Sequence, residues 1–119
     1  MSIPPGEEQR VEVLLQVLAN SKARARQLEI AHKAAVRRES CSLHLAYVLL
    51  GLKSQLGLTF DDLAGELGRA VDGSTLHKIA YRKQGIRLST YKVLVNRINE
   101  LRAKVELDPI TFEEWTEYR

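Results

Sequence analysis

Ser74, Thr75, His77, Lys78, Tyr81 and Arg82 stand close together in the stretch STLHKIAYRKQG. Their chemistry is that of polyanion recognition. Short hydroxyl side chains let a backbone come near a groove and can bond base edges or phosphates. Lys78 or Arg82 could pair with guanine O6 and N7, a contact worth about 1–3 kcal/mol of discrimination. Lys83, Arg87 and Lys92 continue the basic run. They suit phosphate oxygens, which fix register and make affinity salt-sensitive without reading sequence. The same residues also suit a capped, solvated helix, with Ser74 as its N-cap and Tyr81 packed on a neighbour. For the polar groups to face outward together, Leu76, Ile79 and Ala80 must face inward on a helix over residues 74–84. Another element must then cover that apolar side.

Other reactive groups are sparse. Cys41 and His44 stand three residues apart, a spacing that can place two metal ligands on one face. A structural zinc site takes four ligands, and no second pair lies nearby, so Cys41 reads as a small buried residue. Glu113, Glu114 and Glu117 read as a solvated helix face. The chain contains no glycine-rich phosphate loop, no Gly-x-Ser-x-Gly and no His-Glu-x-x-His. Neither catalysis nor a metal nor a cofactor is expected.

The chain has 119 residues with 45% hydrophobic and 28% charged, which suits a single folded domain over residues 1–119. No apolar run reaches the roughly 18–20 residues that span a bilayer, so no membrane association is expected. The N-terminus lacks the pattern of a secretory signal. With one cysteine there is no internal disulfide, and a cytoplasmic location is expected. The net charge of +3 is modest, but it is segregated. Residues 22–38 carry six Lys or Arg against Glu29, and residues 69–104 carry nine against two acids. Residues 105–119 hold five acids against one base. This is the signature of a polyanion-binding surface, or else of solvated faces balanced by an acidic tail.

With seven Gly and three Pro, the chain reads as all-α, a compact helical domain of about six or seven helices. Val11, Leu14, Leu15 and Leu18 recur at helical spacing, and Asn20 and Ser21 mark a stop or restart. A basic, Ala-rich helix follows to about residue 40, with Ser40 or Ser42 capping the next. That next helix, apolar nearly all round over residues 43–52, is expected to lie central in the core. Thr59 caps a short helix with Asp61 and Asp62 in its first turn. Gly68 ends it, Gly85 ends the helix after it, and Ser89 caps a longer one that Pro109 breaks. Residues 110–119 form a short C-terminal helix with Phe112, Trp115 and Tyr118 on one side.

LGLTFDDLAGELG followed by STLHKIAYRKQG resembles the lambda-repressor-like, or Cro-type, helix-turn-helix family. Thr59, Leu63, Ala64, Leu67 and Gly68 fall on the pattern of its scaffold helix. Ser74, Thr75, Leu76, Ile79 and Gly85 fall on that of its recognition helix. The likeness covers roughly residues 43–102. It departs from the family in the connection RAVDG, about two residues longer than usual, and in Ala80, where many members are polar. Residues 7–40 are an N-terminal helical extension with no counterpart in the family's compact domain.

The resemblance implies a sequence-specific, homodimeric binder of double-stranded DNA, a transcriptional regulator of bacterial, phage or plasmid type. Helix 74–84 would read the major groove. Residues 7–40 and 110–119 are candidates for the dimer contact. The rival expectation is a helical protein-interaction module, adaptor or antitoxin-like, binding an acidic protein partner through residues 22–38.

Overall fold

The structure is a computed structural model that describes the backbone of residues 5–116 and the side chains of residues 10–116. Among the described residues it is all-helical with no strand. Four helices are present: α1 (Pro5–Leu56), α2 (Phe60–Glu66), α3 (Gly73–Ala80) and α4 (Leu88–Lys104). The expected six or seven become four chiefly because three N-terminal helices fuse into one of 52 residues. Asn20, Ser21, Ser40 and Ser42 are caps only where the chain already turns. In a helix interior each costs well under about 1 kcal/mol relative to alanine, and no Pro or Gly interrupts residues 7–50 to force a break. Pro5 opens α1 at the position where a missing N–H does no harm.

The molecule is elongated rather than compact, 82 × 26 × 18 Å. Its long dimension is that of α1, about 78 Å at 1.5 Å per residue. Only the C-terminal third of α1 enters the core, through Cys41, Leu45, Leu49 and Leu52. The segment 43–52 is not buried all round: Leu43, His44 and Tyr47 face solvent. Residues 10–30 are exposed throughout, so the N-terminal half of α1 is an arm projecting from a small helical head.

The head is closed by Leu63, Ala64 and Leu67 of α2, Leu76, Ile79 and Ala80 of α3, and Tyr91, Leu94, Val95, Ile98 and Leu101 of α4. All of them join one apolar cluster with the core face of α1. α3 packs on both α2 and α1. The helices turn at left-handed residues: Gly68 and Arg69 after α2, Arg82 after α3 and Glu106 after α4. Arg69 N–H reaches back to Ala64 C=O (2.9 Å), Lys83 N–H to Lys78 C=O (2.7 Å) and Leu107 N–H to Arg102 C=O (2.8 Å), each closing a helix end. Gly85 therefore does not end α3, which stops at Ala80. Ser89 does not cap α4, whose N-cap is Arg87 without a side-chain bond.

Residues 109–116 form an extended strap, not a helix. Side chains hold its backbone. The Asn99 amide donates to Ile110 C=O (2.9 Å) and accepts from Ile110 N–H (2.8 Å). Arg102 donates to Asp108 C=O and Arg37 to Glu114 C=O. Tyr91 Oη and Cys41 Sγ both donate to Glu113 C=O. Trp115 is buried against Tyr91, with ring centroids 4.8 Å apart, and the Arg38 guanidinium lies over its ring. These partners replace the hydrogen bonds a helix would have made. Glu117 and Tyr118 lie outside the described residues.

Candidate nucleic-acid interface

The α2–α3 pair is set by its two ends. Thr59 Oγ1 accepts from Asp62 N–H at 3.1 Å and caps α2. The cap of α3 is Asp72 rather than Ser74: its Oδ1 accepts from Thr75 N–H at 2.6 Å. The bonding with Thr75, helped by Lys78 nearby, holds the Asp72 carboxyl below its ordinary range. Gly73 is buried directly against the start of α2. A Cβ there would fall 1.9 Å from Asp61 Oδ1 and 2.9 Å from Asp61 Cα. The six-residue connection 67–72 therefore leads into a first helical position, Gly73, that only glycine suits.

With Leu76, Ile79 and Ala80 inward, Ser74, Lys78 and Tyr81 lie along the opposite, exposed side of α3 and its cap. Thr75 and His77 flank this side and are half-buried. His77 does not point free. It packs edge-on to Phe60 of α2 (5.1 Å) and tilted on Tyr81 (4.8 Å), and Tyr81 in turn meets Phe60 at 6.0 Å. Lys53 of α1 sits 5.0 Å over the Phe60 ring. The three rings form a patch beside Lys78, and Tyr81 keeps 54% of its surface exposed.

The basic residues divide. Arg82 is exposed but pairs with Glu39 of α1. Lys92 pairs with Glu114 of the strap at 3.8 Å, and Arg97 with Glu100 at 3.5 Å. Lys78, Lys83 and Arg87 are exposed and, among the described residues, form no ion pair. Such exposed pairs contribute up to about 1 kcal/mol each, little enough for a polyanion to displace them.

The Arg82–Glu39 contact bridges 43 positions of sequence, so no local signal announced it. It lies at the rim of a hollow of about 660 Å³ between α1 and the α3–α4 connection, whose lining includes Arg38, Glu39, Arg82, Lys83, Ile86 and Trp115. Arg38 is occupied there, donating to Ile86 C=O at 3.0 Å.

Of the six bases in residues 22–38, Arg37 and Arg38 serve the head: Arg37 also pairs with Glu113 at 3.6 Å. Cys41 is buried, and burial pushes its thiol above the ordinary value. His44 stacks on Phe112 at 5.1 Å. Among the described residues, no group of three or more His, Cys, Asp or Glu gathers as a metal would require. No helix among them is long and apolar enough to cross a membrane. Comparison with family models, curated proteins and solved structures returned no match.

Proposed function

We propose that the chain binds double-stranded DNA sequence-specifically, as a two-fold dimer of the helix-turn-helix kind, with α3 as the reading helix. One observation carries this. α3 seats Leu76, Ile79 and Ala80 on α2 and α1 and leaves Ser74, Lys78 and Tyr81 in solvent. Lys83 and Arg87 stand just past its end, unpaired among the described residues. Lys78 is the base reader. Ser74, in the first turn, suits an approach to a base edge or phosphate, the role open to it now that Asp72 is the cap. Lys83, Arg87 and Lys92 contact phosphates. Arg82 does so once it leaves Glu39. His77 supports Tyr81 rather than reading bases.

The test is a titration of the full chain with duplex DNA at several salt concentrations. A log–log slope of about −0.9 per phosphate neutralised is expected. Lys78→Ala should flatten the preference among sequences by about 1–3 kcal/mol at one base pair. Lys83→Ala should weaken all sequences alike and reduce the slope by about one. A flat slope, or no affinity at low salt, defeats the reading.

A further inference from the structure

The arm of α1 exposes Val11, Leu14, Leu18 and Leu28 at 50–67% of their surface, with Val13, Leu15 and Val17 beside them. A solvated single helix gains nothing from such residues, and exposed apolar stretches of this extent mark contact surfaces. Their stripe is not a continuation of the head's own seam. Carried back along the helix at 3.6 residues per turn, the face of Cys41, Leu45 and Leu49 meets Gln27, Asn20 and Gln16. The arm therefore offers a separate face that nothing among the described residues covers.

We infer that this face is covered by the same face of a second copy, with the two arms antiparallel and the twofold axis between residues 19 and 20. Two observations select this occupant and orientation. The first is size. Val11, Leu14, Leu18, Ser21, Ala25 and Leu28 follow the a/d spacing of a heptad. An antiparallel pair sets Leu14 against the other copy's Ala25, Leu18 against its Ser21 and Val11 against its Leu28, so that large residues meet small ones in most layers. Parallel arms would oppose Ala25 to Ala25 and Ser21 to Ser21 and leave those layers thin. The second is charge. Residues 7–17 hold three glutamates and one arginine, and residues 22–32 hold three cations and one glutamate. Antiparallel arms lay one block on the other, whereas parallel arms lay each on its like.

This inference deepens the dimer of the proposed function and rests on it only for that dimer's use, because self-association is measured without DNA. Sedimentation equilibrium of the full chain should show a dimer. Leu14→Asp with Leu18→Asp should weaken it about a hundredfold or more, since each buried carboxylate lacks a partner, while the urea midpoint of the head stays in place.

Orientation is read by disulfide formation in a Cys41→Ala background. Leu14→Cys together with Ala25→Cys should close a covalent dimer, and so should Val11→Cys together with Leu28→Cys. Each single variant should not, because Leu14 and its own copy lie about 16 Å apart along the axis at 1.5 Å per residue, beyond the roughly 7 Å a disulfide spans. A monomer throughout the micromolar range overturns the inference, whether or not DNA binds. Cross-linking of Leu14→Cys alone overturns it in favour of parallel arms. A monomer that co-sediments with phosphatidylserine vesicles overturns it in favour of a lipid surface.

Discussion

Gly73→Ala and Gly51→Ala are the same chemical change with opposite expected signs. At position 73 the new methyl meets Asp61 Oδ1 at 1.9 Å and Asp61 Cα at 2.9 Å. The carboxylate can swing away. The Cα cannot, because it belongs to the first turn of α2, which Leu63 and Ala64 hold in the core. The two helices must part by several tenths of an ångström, an overpacking cost of about 1–3 kcal/mol. Alanine's better helix propensity returns at most about 1 kcal/mol of this. A net loss of about 1–2 kcal/mol lowers Tm by roughly 4–8 °C for a chain of this size. At Gly51, exposed on α1, no described atom beyond its chain neighbours and the helix's own backbone lies within 4 Å of the added Cβ. The same methyl there should add about 0.5–1 kcal/mol and raise Tm by roughly 2–4 °C. Thermal melts followed by far-ultraviolet circular dichroism measure both. If Gly73→Ala melts at or above the parent, α2 and α3 do not meet as described, and the placement of α3 falls with them.

Asn99→Ala removes both bonds to Ile110 and should destabilise the chain by about 1–2 kcal/mol, read as a lower urea midpoint. The depressed Asp72 carboxyl adds stability above the ordinary carboxylate range, and this is lost as pH falls through its folded value. Asp72→Asn, which can still cap, should remove that part of the acid dependence without unfolding the chain at neutral pH.

Helix type and most inward residues of α2, α3 and α4 were legible in the sequence, because Leu63, Leu67, Leu76, Ile79, Leu94 and Ile98 recur at helical spacing over short, well-punctuated segments; the buried Tyr91 and Val95 were not. The continuity of α1 was not. Asn20, Ser21 and Ser40 carry the same side-chain oxygens whether they cap a helix or ride on one, and only the surrounding chain decides. The strap was also hidden. Phe112 and Trp115 sit at a helical interval, but the strap around them is held at Ile110, Glu114 and Glu113 by Asn99, Arg37 and Tyr91, partners that adjoin only after folding. Within the candidate interface, periodicity found the outward side of α3. It missed the cap at Asp72 and the Glu39 partner of Arg82, because the first needed the position of α2 and the second that of α1.

The strap carries the only tryptophan of the chain, lodged between Tyr91 and the Arg38 guanidinium. Its fluorescence therefore follows one event, the seating of residues 109–116 on α1 and α4, and is blind to the arm beyond. Helicity, by contrast, is weighted towards α1 and sees arm and head together. Heated under both signals, the molecule separates the unseating of the strap, read by the indole, from the loss of helix in the arm, without any label being added.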